Sequence, residues 1–175
     1  LAPESRWGDF WSVSGMWHLS SEPFMEAVKP VLNDVKIRAS YGVNGNQPGA
    51  FYGYMGLYSY GQNYMGAAGS YESAQANPKL KWEKNYATNI GIDLTLFNRL
   101  TVSAEWYNRE TKDLLMDKPI SAAVGVINSS GVANMLVNVG SMRNRGFELE
   151  LKSTNIQNKD LLWTTSLNIG HNKNK

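Results

Sequence analysis

Alternation of apolar and polar residues, repeated in one segment after another, constrains this chain more than any other feature. Across residues 35–43 the odd positions are Val35, Ile37, Ala39, Tyr41 and Val43, and the even ones are Lys36, Arg38, Ser40 and Gly42. A period of two puts the two sets on opposite faces of an extended strand. The same period runs through Tyr86, Thr88, Ile90, Ile92, Leu94 and Leu96, then Leu100, Val102, Ala104 and Trp106, then Phe147, Leu149 and Leu151. It returns in Leu161, Trp163, Thr165, Leu167 and Ile169. An aromatic stretch over residues 7–19, with Val13, Trp17 and Leu19 on one face, makes a sixth strand. β-Branched and aromatic residues are enriched in most of these runs, as strands require. The expectation is an all-β chain: an antiparallel up-and-down meander of about six strands.

The connections alternate in length. A tight turn at Asn98-Arg99 joins the third and fourth strands, and about eight mostly polar residues, 153–160, join the fifth and sixth. Between the first and second, Ser21-Glu22-Pro23-Phe24 predicts one short helix, with Ser21 as its cap and Pro30 stopping it. The other two connections are long. Residues 47–79 are rich in Gly and Tyr, with Glu72 the one acid and Lys79 the one base; residues 117–136 are rich in Ala, Ser, Gly and Asn. Unstructured connections beyond about 15 residues are uncommon in compact domains and are usually functional or disordered.

Composition removes several functions. With 17 Lys+Arg against 15 Asp+Glu, the net charge of +2 offers no basic stripe for a nucleic acid. Without cysteine there are no disulfides, thiolate metal sites or Cys nucleophiles. His18 and His171 lie in the first and last strands, away from any evident carboxylate cluster, so no metal site is expected. Glu148 and Glu150 share a strand face and are read as solvated carboxylates rather than a glycosidase pair. No nucleophile elbow or phosphate-binding glycine loop is present. No catalytic residue and no cofactor is expected, and the chain is not read as an enzyme.

A length of 175 residues allows one domain. The chain opens at Leu1 without a signal peptide and closes inside a patterned segment, which reads as an internal fragment of a larger single domain. No apolar run reaches the roughly 18 residues of a membrane helix, but membrane strands signal by alternation instead. Two architectures then compete. In a soluble sandwich the apolar face turns to a core; in a membrane barrel it turns to lipid, and the polar face lines the lumen. Alternating short and long links favour the barrel, as do a mixed polar face and Trp17, Tyr41, Trp82, Trp106 and Trp163 near strand ends.

The wording of the strands is more specific. Lys36-Ile37-Arg38-Ala39-Ser40-Tyr41-Gly42 with Gly45-Asn46 resembles a strand and turn in the C-terminal part of SusC/RagA-type TonB-dependent outer-membrane transporters. The resemblance extends in order along almost the whole chain. It takes in Trp7-Gly8, Ser21-Glu22-Pro23-Phe24, Asn77-Pro78, Trp82-Glu83 and Asn89-Ile90-Gly91-Ile92-Asp93. Asp113-Leu114-Leu115, Asn138-Val139-Gly140, Gly146, Glu148 and Trp163 continue it. Trp11 and His18 depart from it, standing where proline and arginine are expected.

The resemblance implies that residues 1–175 supply part of a barrel of about 22 strands, with the plug domain absent. It implies an outer-membrane location, coupling to TonB through the missing N-terminal part, and a SusD-like surface lipoprotein as partner. It further implies outer-membrane lipid around the barrel and import of a glycan or peptide substrate. Lys36, Arg38, Glu83, Asp93 and Glu105 are expected to face the lumen, and Ile37, Ile92, Leu94, Val102 and Leu149 the lipid. Tyr52, Tyr54, Tyr58, Tyr60, Tyr64 and Tyr71 are the candidates for ligand or partner contact, as flat apolar rings with a polar tip. The alternative is a soluble β-sandwich that binds carbohydrate through the same tyrosines.

Overall fold

The computed structural model describes residues 1–126 and 131–175, apart from the side chains of Gln62 and Tyr64. Its strands are β1 (Trp11–His18), β2 (Leu32–Asn46), β3 (Leu57–Tyr64), β4 (Ala67–Ala74) and β5 (Glu83–Leu96). They continue as β6 (Leu100–Lys112), β7 (Leu115–Pro119), β8 (Asn134–Asn138), β9 (Ser141–Gln157) and β10 (Leu162–Asn174). Six of them form one sheet in the order β1-β2-β5-β6-β9-β10. The remaining four form two separate hairpins, β3-β4 and β7-β8. These hairpins occupy the two long connections, so neither is the unstructured loop that its glycines and small residues imply.

The six sheet strands are those the alternation marks out, but most are longer. β9 runs to Gln157 and β10 begins at Leu162, which shortens the expected eight-residue link to residues 158–161. Asn158 closes it: its Oδ1 accepts the amides of Asp160 at 3.1 Å and Leu161 at 2.7 Å. At the β5–β6 turn the central residues are Phe97 and Asn98, one position earlier than expected. Both have positive φ, 54° and 53°, the geometry that matches the twist of hairpin strands. Asn tolerates this region; Phe rarely does. The turn is tethered from outside, because the Phe97 amide donates to the Val31 carbonyl at 2.9 Å and the Asn98 amide to Asn33 Oδ1 at 2.6 Å.

The expected helix is a 3-10 helix, Pro23–Val28, with Glu22 at its N-cap and no side-chain cap. Ser21 is not the cap. Its hydroxyl lies 3.0 Å from His18 Nδ1 instead. None of the helices among the described residues is long and apolar enough to cross a membrane.

The chain divides into two compact units. One comprises residues 11–43, 86–110 and 142–175; the other comprises residues 1–10, 44–85 and 111–141. In the first, the cross-strand register fixes the faces. Val13 opposes Tyr41, Trp17 opposes Ile37, Leu167 opposes Leu151, and Ile169 opposes Leu149. On the other face Ser14 opposes Ser40 and Asn168 opposes Glu150. One departure is a register shift between Trp163 and Thr164. In the second unit, Leu80 and Val126 are fully buried, with Ala2 beside them in burial and Ala133 close to it. Phe10 stacks edge-on against Trp82 at 5.2 Å, and its ring lies where a Cβ on Gly45 would be.

Gly146 is the glycine of the sheet at which a Cβ would come closest to backbone. A Cβ there would overlap the His171 carbonyl oxygen and lie 2.7 Å from the Tyr107 hydroxyl. Backbone cannot yield as a flexible side chain can. Gly146→Ala in the full-length protein is therefore expected to cost about 1–3 kcal/mol, the usual range for overpacking, measured by denaturant unfolding. An unchanged midpoint would show that the two strands are further apart than this.

Candidate functional site

Arg38 in β2 is the centre of the polar face of the sheet. Its Nε donates to Asp93 Oδ2 at 3.1 Å and its Nη1 to Glu105 Oε2 at 2.7 Å. Ser103 Oγ donates to the other Asp93 oxygen at 2.5 Å. A single guanidinium thus clamps carboxylates from β5 and β6, a fork geometry that lysine could not reproduce. Gly91 makes room for it: a Cβ there would be 2.8 Å from Arg38 Nε. Ser103, Glu105, Glu148, Glu150 and Asn168 line a trough of about 450 Å³ beside this clamp. Lys152 Nζ neutralises Glu150 at 2.6 Å. Tyr107 lies over Gly146 and donates to Asn172 Oδ1 at 3.2 Å.

The opposite face is apolar. Ile37, Ile90, Ile92, Ala104, Trp106, Phe147 and Leu149 line one shallow surface there. It is exposed: Ile90 is 49% accessible, Phe147 48% and Trp106 44%. Trp106 and Tyr41 stand well inside their strands, not near strand ends as the alternation alone placed them.

Of the residues expected to face a lumen, Arg38, Asp93 and Glu105 are brought into direct contact. Lys36 shares their side of β2 but pairs with Asp34, Nζ to Oδ2 at 2.6 Å. Glu83 takes no part in the clamp; in the other unit it accepts the Leu115 amide at 3.1 Å. His18 is not isolated, as the sequence implied: its Nε2 lies 2.5 Å from Asp34 Oδ1, which also accepts from Ser20 Oγ at 3.0 Å. Ser20 Oγ in turn accepts the Val35 amide at 3.2 Å, tying the 3-10 link to β2. The pairing crosses between strands, where no local motif signals it. No three His, Cys, Asp or Glu side chains gather as a cation site among the described residues.

The tyrosines do not form one platform. Tyr58 and Tyr60 lie on one face of the β3-β4 hairpin, 60% and 83% accessible, opposite Glu72 and Ser70. Tyr71 pairs with Ser59 on the other face and is half-buried. Tyr52 is exposed at a turn with φ 57°, and the half-buried Tyr54 accepts the Asn77 amide through its carbonyl at 3.0 Å. The side chain of Tyr64 lies outside the described residues. The hairpin closes at Met65-Gly66, both with positive φ. That dipeptide, with Tyr58 and Tyr60 alternating against Ser59 and Gly61, is the signal that identifies a hairpin here.

One charged face and one exposed apolar face are the pattern of a membrane β-barrel wall, whereas a soluble sandwich buries its apolar face. Comparison with known proteins gives the family. Residues 2–173 match the family model described as TonB dependent receptor-like, beta-barrel. A TonB-dependent receptor of Formosa agariphila is 36% identical over 97% of this chain and 16% of its own length. The TonB-dependent receptor SusC of Bacteroides thetaiotaomicron is 33% identical over 100% of this chain and 18% of its own. Among solved structures, the RagAB peptide importer in its closed-closed state matches 99% of this chain and 18% of its own at 33% identity, with a TM-score of 0.83. Its open-open state gives 0.78 over 94% of this chain and 17% of its own. The chain belongs to the TonB-dependent receptor β-barrel family and spans less than a fifth of the length of these relatives.

The Arg38 clamp is partly exposed, with 41% of the Arg38 side chain and 30% of the Glu105 side chain accessible, so water screens it. A double-mutant cycle of Arg38→Ala and Glu105→Ala is expected to give a coupling of about 0.5–1 kcal/mol in unfolding, shrinking as salt is raised. A coupling that is insensitive to salt would mean that this face is dry.

Proposed function

We propose that this chain is a wall section of an outer-membrane nutrient importer energised through TonB. The exposed apolar face carrying Ile92 and Phe147 is the observation that supports it, because hydrocarbon is the solvent that tolerates such a face. In this reading Lys36, Arg38, Asp93 and Glu105 line the lumen, and Ile37, Ile92, Leu94, Val102 and Leu149 meet lipid. Glu83, whose Oε2 accepts the Leu115 amide, is assigned to the lumen with them. The sheet contributes wall and lining, not bond-making chemistry.

The hairpins β3-β4 and β7-β8 then lie on the outer side, where the long connections of such barrels project. The exposed rings of Tyr58 and Tyr60 suit a neutral, flat-faced ligand, and their surroundings carry little charge: Glu72 and Lys79 are the charged residues of the whole connection. We therefore favour an oligosaccharide as cargo, with a SusD-like surface lipoprotein as partner. The similarity to a peptide importer supports a second reading in which the cargo is a peptide.

Two measurements on the full-length protein test these assignments. Ile92→Arg is expected to destabilise the membrane-assembled barrel by about 2–4 kcal/mol, the cost of a charge facing mid-bilayer lipid. A neutral effect in lipid vesicles would remove this face from the hydrocarbon. Tyr58→Ala with Tyr60→Ala is expected to weaken neutral oligosaccharide binding about tenfold or more, read by calorimetry, and to leave peptide binding unaltered. The reverse pattern would assign the cargo to peptides.

A further inference from the structure

In the unit of residues 1–10, 44–85 and 111–141, the two long connections are tied together by side-chain amides. The carboxamide of Asn138, at the end of β8, holds two other segments of chain. Its Oδ1 accepts the Lys81 amide at 2.8 Å, and its Nδ2 donates to the carbonyls of Lys81 and Asp113, both at 2.9 Å. Asn77 makes a second bridge. Its Nδ2 donates to the Leu136 carbonyl at 2.7 Å, its Oδ1 accepts the Lys79 amide at 3.1 Å, and its own amide donates to the Tyr54 carbonyl. Asn77, near the end of the tyrosine connection, thus ties it back to Tyr54 and across to β8. Lys81 Nζ and Asp113 Oδ1, 3.0 Å apart, reinforce the same junction, and fully buried Leu80 and Val126 supply one apolar side chain from each connection.

A carboxamide offers one acceptor and two donor hydrogens, so it can stand in for a backbone peptide where two chain segments meet without a ladder. Neither an aliphatic residue nor a carboxylate can replace it: the first satisfies nothing, and the second repels the carbonyls to which Nδ2 donates. We infer that Asn138 and Asn77 are positioning residues that lock the β3-β4 and β7-β8 connections into one cooperative body. Engagement of the tyrosine hairpin is then transmitted to β7-β8, and ordering of either connection favours ordering of the other. This inference rests on the packing of one unit and is independent of what Tyr58 and Tyr60 bind.

Hydrogen exchange of the full-length protein in outer-membrane vesicles, without ligand, tests it. Asn138→Ala is expected to speed exchange about tenfold or more in residues 51–76 and also in residues 115–126 and 131–137, with the sheet strands β5, β6 and β9 unchanged. Asn77→Ala should reproduce this two-sided pattern. Asn158→Ala removes a comparable turn-closing side chain and should affect residues 158–161 alone. Faster exchange on only one connection in both variants would overturn the inference, as would loss of protection throughout the sheet. If Asn138→Ala does not assemble, Asn77→Ala decides by the same criteria. No ligand enters the measurement, so a negative outcome leaves the cargo assignment untouched.

Discussion

Cross-strand register is the constraint on which the rest depends. In a ladder, residues directly opposite share a face, and a slip of one position exchanges the faces completely. If β2 slipped so, Arg38 would enter the apolar side beside Ile92 and Trp106, and Ile37 or Ala39 would replace it between Asp93 and Glu105. The register is pinned at several places rather than one. At the short-link end, Phe97 and Asn98 are held to the beginning of β2 through Val31 and Asn33. Across the polar face, the Arg38 fork spans β2, β5 and β6 and fits where Gly91 leaves space. Further along, Tyr107 packs over Gly146, where a Cβ would lie 2.7 Å from its hydroxyl.

The unit that carries the long connections solves a different problem. Sheet ladders satisfy backbone groups automatically, whereas long connections must find partners for theirs. Here two two-stranded ladders meet most of that need, and asparagine side chains serve the junctions between them. The small buried set of Ala2, Leu80, Val126 and Ala133 is consistent with that division. Such a core is too small to hold the connections alone, so the polar junctions determine whether they behave as two flexible loops or one body.

Much of this was legible in the sequence. Period two gave all six sheet strands and assigned Arg38, Asp93 and Glu105 to one face and Ile37, Ile92 and Leu149 to the other. Strand lengths were less legible, because the ends use residues such as Asn85, Thr111 and Asn144 that pair in a ladder without alternating in hydropathy. The β3-β4 hairpin was hidden by composition: glycine weakens strand character, and Met65-Gly66 is not among the common hairpin-turn dipeptides. Contacts such as His18 with Asp34, or Asn138 with Lys81 and Asp113, were not legible at all. They join residues distant in sequence, and nothing in the local pattern around either partner signals the contact.

Exposure separates the architectures that alternation leaves open. Among the described residues the fully buried side chains are few, and none is on the apolar face of the sheet; Val13 is 61% accessible, Leu167 49% and Ile169 47%. In a soluble sandwich these positions would supply the core, and their burial would be the main source of stability. An exposed face of this size in water invites aggregation, whereas in lipid the same side chains sit in their preferred solvent. The ladder and the polar clamps fix which residue faces which way; in the proposed barrel wall, lipid is the solvent in which the apolar face rests. In that reading the polar network can be as open as the trough beside Arg38 is, because it specifies alignment rather than sealing a core.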